Sequence, residues 1–285
     1  MKIFVTIGTQ IPFYRLIRWM QEYISIHNME VCIQNIDSLL SEERIEEYIK
    51  WADVVVAHAG IGTLLKVRSI GKHLIVVPRL AKLNEQRNNH QLDTCSFIRE
   101  YNLAEVAETK NELFFLLDKL NVNLTCDNFP QKEKGKLSNL ALDLDYKKVM
   151  GVCSFGGHAA ELDYCIGKSR ALLVKVSTAG NCDYLIENFS RANIWKIFKV
   201  LVQLWRIIDI ESPDIVVSTG AAPGVVAIVI ARLRGIKTIW IDSIATRSKI
   251  SLSGRLVKLF CREFYVQWPN LANRKMKYIG NVLGI

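Results

Sequence analysis

The sequence predicts an α/β protein built from two parallel-sheet domains, and three observations predict it. At 285 residues the chain exceeds a comfortable single core. Its first part alternates short β-branched runs with helical patterns, and such alternation implies βαβ units with right-handed crossovers. That pattern lapses over 121–148, NVNLTCDNFPQKEKGKLSNLALDLDYKK, a polar stretch with Pro130 and Gly135, and resumes at Val149. The expected division is a first domain over 1–125, a linker over 126–147 and a second domain over 148–285.

In the first domain, strands are expected near 2–8, 30–36, 53–59, 73–79 and 103–107, with helices near 12–27, 41–51, 62–70, 90–101 and 110–120. The most informative stretch is 52–91. Val54-Val55-Val56-Ala57 has the length and branching of a buried parallel strand. It breaks at His58-Ala59-Gly60-Ile61-Gly62-Thr63, where glycines allow a sharp turn and close approach to a ligand. The helix that follows ends at Gly71, a natural C-terminal cap. Strand, glycine turn and helix N-terminus together form an anion site, with backbone amides and the Thr63 hydroxyl available to phosphates. Gly8 and Thr9 end the first strand on the same carboxyl edge. The strand at 74–78 opens into Asn84-Glu85-Gln86-Arg87-Asn88-Asn89-His90-Gln91, a dense set of donors and acceptors suited to a sugar or ribose. Arg79 and Arg87 are candidates to neutralise a diphosphate.

In the second domain, a strand at 149–153 runs into Ser154-Phe155-Gly156-Gly157-His158. Two glycines bring backbone close to substrate, and imidazole titrates near working pH, which makes His158 the leading candidate base. Glu161, one turn on, is placed to orient that imidazole or to touch the acceptor, and Asp242, ending a strand at 236–241, is a second base candidate. Over 194–208, Ile194, Ile197, Phe198, Leu201, Leu204, Trp205 and Ile208 repeat at helical spacing opposite Lys196, Lys199, Gln203 and Arg206. A basic amphipathic helix with tryptophan suits a membrane interface as well as a sheet.

Composition narrows the function classes. Half the residues are hydrophobic and 23% are charged, as in ordinary globular proteins. Seven scattered cysteines without CxxC spacing argue against a disulfide framework or zinc site and for a reducing cytoplasm. Met1 leads directly into a strand rather than a signal peptide, and no run of apolar residues is long enough to span a membrane. The net charge of +9 calls for acidic partners. Dispersed cations without a recognised motif favour a nucleotide diphosphate, a lipid diphosphate or an anionic membrane over nucleic acid. No GxGxxG follows either first strand, which argues against a nicotinamide dehydrogenase. Asp143-Leu144-Asp145 matches a short metal-binding string but sits in the linker, so no metal is expected there.

HAGxGT at 58–63, GKxxIVVPR at 71–79, the His90-Gln91 pair and the opening MKIFVTIGTQIPFYRLI together resemble family 28 glycosyltransferases over roughly residues 1–122. The likeness is to the donor-binding subunit of two-part bacterial exopolysaccharide enzymes, relatives of the two-subunit dolichol-pathway N-acetylglucosamine transferase. PDIVVSTGAAPG (213–224), IKTIWIDSIATRSKISLSGRL (236–256) and FYVQWPNL (264–271) resemble the membrane-associated acceptor subunit of the same enzymes. The resemblance implies the GT-B fold, two Rossmann-like domains facing a cleft, with the donor half first. It implies a metal-independent, cofactor-free inverting transfer from a UDP-sugar to a polyprenyl-diphosphate-linked saccharide in exopolysaccharide or capsule assembly. The location implied is cytoplasmic, on the inner face of the membrane, and the alternative is a non-catalytic sugar-nucleotide-binding module beside a partner transferase. Donor contacts carried over are Gly8, Thr9, His58, Gly60, Gly62, Thr63, Arg79, Glu85, Asn88, His90 and Gln91; acceptor contacts are Gly156, Gly157, Thr219, Gly220 and Arg247. The catalytic candidates are His158, Asp242 and Glu161. Two departures stand out. Lys66 occupies the place of a ribose-binding glutamate, for which Glu85 is the substitute, and the stretch from His158 to Pro213 is shorter than in typical acceptor subunits.

Overall fold

The computed structural model describes residues 1–8, 12–34, 40–86, 89–125, 146–166, 170–189 and 191–285. Its contacts divide the chain into two compact units, Met1–Lys136 and Leu137–Ile285.

Unit 1 alternates as expected: β1 (Lys2–Thr6), α1 (Tyr14–Ile26), β2 (Glu30–Ile33), α2 (Glu42–Trp51), β3 (Val54–His58), α3 (Ile61–Ile70), β4 (His73–Val77), α4 (His90–Glu100), β5 (Glu105–Val106) and α5 (Lys110–Thr125). The strands form one parallel sheet in the order β2-β1-β3-β4-β5, with Val5 opposite Val56 and Val56 opposite Ile75. Strands covered on both faces need apolar residues at successive positions, and Val54, Val55, Val56 and Ala57 are all fully buried. Helix limits follow local chemistry. The Ser41 side chain accepts the Arg44 amide at the start of α2, with Glu42 and Glu43 in its first turn. Gly71 ends α3 at φ 80°, a conformation glycine adopts without a Cβ penalty.

Unit 2 follows the same logic: β6 (Lys148–Val152), α6 (Gly157–Ile166), β7 (Leu172–Ser177), β8 (Tyr184–Leu185), α7 (Ile197–Glu211), β9 (Ile215–Ser218), α8 (Ala221–Leu233), β10 (Lys237–Ile241), α9 (Leu252–Val257), β11 (Glu263–Val266) and β12 (Lys277–Tyr278). Its sheet is parallel throughout, in the order β12-β11-β10-β9-β6-β7-β8. The chain moves outward from β6 to β8, then returns across β6 to β9 and continues to β12. Right-handed crossovers in those two directions put α6 on one face of the sheet and α7, α8 and α9 on the other. α7 packs on α8, and α8 on α9. Both units therefore have a topological switch point, between β1 and β3 in the first and between β6 and β9 in the second, and ligands of open α/β sheets bind at the carboxyl ends of such strands.

The helix at α7 departs from the expected stripe. Val200, Leu204, Ile207 and Ile208 are its buried residues, whereas Phe198, Leu201 and Trp205 face solvent. The apolar residues cover more than one face, so period alone did not identify which face the sheet takes.

Candidate active site

The carboxyl edge of unit 1 is organised around His58, the last residue of β3. Its imidazole lies between two glycines. A Cβ on Gly8, itself at φ 73°, would stand 2.7 Å from His58 Cε1, and one on Gly60 would stand 2.3 Å from His58 Nε2. These glycines thus make room for the histidine ring, a reason sequence reading had assigned to a ligand. His58 Nδ1 is buried and has no hydrogen-bond partner among the described residues. Burial, with Arg79 and His90 adding to it, pushes the His58 pKa down to about 3, so the ring is neutral. Gly62 and Thr63 lie half-exposed in the first turn of α3, where backbone amides have no partner within the helix.

Behind this turn lies a cationic frame. The Arg79 guanidinium is buried, donating to the carbonyl of Glu85 at 3.1 Å and to the carbonyl of Ile7, and it stacks over Phe13 at 5.0 Å. Burial lowers its pKa to about 10, which leaves it charged near neutrality. Arg79 is therefore a fixed positive charge tying β4 to the end of β1, rather than a mobile clamp. Glu85, expected to substitute at the ribose, is committed elsewhere. Arg15 holds both of its oxygens at 2.8 Å, and the Leu80 amide donates to it at 3.0 Å. The Gln91 Oε1 accepts the Arg79 amide at 2.9 Å, and His90 opens α4 with Nε2 3.4 Å from Gln86 Nε2. Lys66 acts on Glu43 and Glu46 of α2. Thr9, Arg87 and Asn88 lie outside the described residues, as do Asp143 and Asp145. Arg15 was not singled out from sequence. Its local signal, aromatic residues at Phe13 and Trp19 that its guanidinium covers at 5.2 and 4.7 Å, says nothing of Glu85, 70 positions away.

The carboxyl edge of unit 2 is organised around His158, in the first turn of α6. Its Nδ1 lies 3.0 Å from the Thr219 carbonyl oxygen, while the Thr219 hydroxyl donates to the His158 carbonyl at 2.6 Å. A carbonyl only accepts, so Nδ1 carries the proton and the lone pair of the neutral ring resides on Nε2. The ring lies against Gly220, where a Cβ would come within 2.4 Å of His158 Cε1, and Gly220 takes φ 143°. Burial lowers the His158 pKa, opposed by the Thr219 hydrogen bond and by Asp242. Gly156 and Gly157, just before it in the chain, face open space, with no heavy atom within 4 Å of either Cβ position.

Two expectations are corrected here. Glu161 does not orient His158. It is buried, accepting from the Ser243 hydroxyl at 2.7 Å, the Ile244 amide at 3.2 Å and the Gln267 amide group at 2.7 Å, and burial lifts its pKa to about 7. Asp242 is equally enclosed. Trp240 Nε1 at 3.1 Å, the Ser251 hydroxyl at 2.5 Å, the Ser251 amide at 2.8 Å and the Thr246 hydroxyl at 3.2 Å occupy its oxygens. A carboxylate saturated by four donors is an anchor for the loop after β10, not a base. Arg247, on that loop, stacks over Trp268 at 5.3 Å and is half-buried.

Two family patterns match separate stretches of the chain. The family pattern described as Glycosyltransferase family 28 C-terminal domain matches residues 17–141, and that described as Oligosaccharide biosynthesis protein Alg14 like matches residues 184–282. A curated protein, the UDP-N-acetylglucosamine transferase subunit ALG14 of Eremothecium gossypii, is 40% identical over 68 residues, which are 22% of this chain and 30% of that subunit. The chain thus spans less than a third of the length of the curated relative it matches. Among solved structures, MurG of Acinetobacter baumannii is 16% identical with a TM-score of 0.38, over 46% of this chain and 44% of that one. The UDP-GlcNAc 2-epimerase of Methanocaldococcus jannaschii is 15% identical with a TM-score of 0.37, over 47% and 45%. The chain joins a glycosyltransferase family 28 C-terminal domain to an Alg14-like domain in one polypeptide.

Proposed function

We propose that this protein is an inverting glycosyltransferase that moves a sugar from a UDP-sugar to a polyprenyl-diphosphate-linked saccharide, at the inner face of a membrane, in exopolysaccharide or capsule assembly. The observation that carries this reading is the oriented His158 ring: Nδ1–H is held by Thr219, which leaves the lone pair on Nε2, and the Gly156-Gly157 turn that precedes it in the chain faces open space. In the proposed step His158 Nε2 takes the proton of the acceptor hydroxyl as its oxygen attacks the anomeric carbon. The bond from that carbon to the diphosphate breaks on the opposite side, UDP leaves with the electron pair, and the configuration inverts. In this proposal the amides of the first turn of α3 support the departing charge, and the buried Arg79 cation on the same sheet adds to the positive field of unit 1. His58 stays neutral there, so it fills space and adds no charge to the site.

This chemistry requires no divalent metal, since fixed amides and a guanidinium act on the leaving group; EDTA should leave turnover unchanged. The deciding experiment is a screen of UDP-sugars against a lipid extract, with analysis of the lipid-linked product. A new sugar on a lipid diphosphate supports the reading. UDP binding without transfer to any acceptor in the extract supports instead a binding module for a partner transferase.

A further inference from the structure

Two buried carboxyl groups of unit 2 tie down the loop that follows β10, and the proposed step uses neither of them. Asp242 holds the far limb of that loop through Thr246 and Ser251. Glu161, on α6, holds the near limb, accepting from the Ser243 hydroxyl and the Ile244 amide. The Gln267 amide group, just past β11, donates both to Glu161 and to the Asp242 carbonyl, the latter at 3.1 Å. The Trp268 indole N–H donates to the Ile244 carbonyl at 2.7 Å, and the Asn270 side chain donates to the Arg247 carbonyl at 3.0 Å. Since the Arg247 guanidinium lies over Trp268, one indole fixes both the near limb of the loop and the cation on it.

Over 243–250 this loop reads SIATRSKI, with two cations and no carboxylate. Its base, Ser243 and Ile244, is buried, whereas Arg247 is half-buried and Ser248 and Lys249 are exposed. Stacking engages the face of a guanidinium, and the N–H edge is the part that matches phosphate oxygens. A fork fixed in advance binds an anion without first paying an ordering cost. We infer that Glu161 is a positioning residue: from the helix that carries His158, it sets the shape in which the 243–250 loop offers Arg247 to the diphosphate of a lipid-linked acceptor. One helix then fixes both the base and the contact that registers the acceptor against it. The inference rests on the proposed function in taking a lipid diphosphate as the acceptor. The role is geometric rather than one of charge. A glutamine at 161 satisfies the same partners, its carbonyl oxygen accepting from Ile244 and Gln267 and its amide donating to Ser243 Oγ.

The test is calorimetric binding of farnesyl diphosphate, a soluble lipid diphosphate, to the full chain, with the urea transition of unit 2 as the check that each variant folds. Glu161→Ala should bind it about tenfold more weakly, the usual cost of losing hydrogen bonds to a charged group. Glu161→Gln should restore wild-type binding. Arg247→Ala should weaken binding at least as much as Glu161→Ala, and the double variant should bind no more weakly than Arg247→Ala, because Glu161 acts through that arginine. Should Glu161→Ala not fold, Ser243→Ala removes a single donor to the carboxyl group and carries the same comparison, with a loss of about threefold. Losses that add in the double variant overturn the inference, as does a Glu161→Gln protein no better than Glu161→Ala. A wild type that does not bind farnesyl diphosphate overturns it too. Binding needs neither donor nor turnover. Affinities in the expected order, in a protein that transfers no sugar, would sink the proposed reaction alone. Transfer with an acceptor KM untouched by Glu161→Ala would sink the positioning role alone.

Discussion

The carboxyl edges of both units set a histidine ring against glycine, His58 at the end of the third strand of its unit and His158 just after the first strand of its own, and treat it differently. In unit 1 the His58 ring fills the space left by Gly8 and Gly60, and its Nδ1 has no partner among the described residues. In unit 2 the His158 ring fills the space left by Gly220, but its Nδ1 is tied to Thr219. The surroundings diverge as well. Unit 1 surrounds its histidine with a buried arginine and an Arg15–Glu85 pair, whereas unit 2 buries two carboxylates, each satisfied by neutral donors. A cationic edge with a silent imidazole suits an anionic leaving group. An edge bearing an oriented, neutral imidazole suits proton removal. The hydrogen bonds around each ring, more than the shared architecture, set the two edges apart.

The largest effect on stability should come from the ion pair that frames unit 1. Arg15→Ala leaves Glu85 buried without its cation, and breaking a buried pair typically costs about 3–5 kcal/mol. Urea unfolding should show that loss in unit 1 while unit 2 keeps its own transition. A change under about 1 kcal/mol would mean the pair is solvated and the contrast between the edges overstated.

Next comes the buried Glu161. Its folded-state pKa of about 7 stands above the ordinary 4.5, so the folded protein favours the protonated form. The associated stability is complete below pH 4.5 and is lost as pH rises through 7. The loss is on the order of 3 kcal/mol. Glu161→Gln should flatten this dependence in thermal melts across the window; a parallel slope in both proteins would place the titration elsewhere.

The glycines test the comparison itself. Gly60→Ala sets a methyl against His58 and Gly220→Ala sets one against His158, and overpacking of this kind costs roughly 1–3 kcal/mol. Gly60→Ala should weaken UDP binding in calorimetry, and Gly220→Ala should spare UDP binding and lower turnover. The reverse pattern would exchange the roles of the two edges. Smallest is Lys66→Glu. Placing a third carboxylate near Glu43 and Glu46 should leave UDP affinity unchanged, because Lys66 faces α2. A gain in UDP affinity would restore the ribose role to that position.

Much of this architecture was legible in the sequence. β3 was expected at 53–59 and spans Val54–His58; α2 was expected at 41–51 and spans Glu42–Trp51, with Ser41 as its cap. Local periodicity and capping chemistry determine such elements. The site was legible only where its chemistry is local, as at Gly156, Gly157 and His158. Glu161 and Asp242 were misjudged because their partners are not local. Ser243 and Gln267 reach Glu161 across 82 and 106 positions, and no pattern near 161 announces them. The exposed side of α7 was hidden for a related reason: a helix apolar on several faces does not reveal which face meets the sheet until the sheet is built.

The central claim is that Nε2 of His158, freed as a lone pair by the Nδ1–Thr219 bond, removes the acceptor proton while the donor is held by a different unit. The most direct test measures turnover and UDP affinity of His158→Ala in the same preparation. The account predicts unchanged UDP affinity with turnover reduced about a hundred- to ten-thousand-fold, the usual cost of losing a positioned base. It also predicts that the acid limb of wild-type turnover lies below 6.5, the ordinary imidazole value, because burial lowers the His158 pKa. Near-normal turnover by His158→Ala would contradict the account.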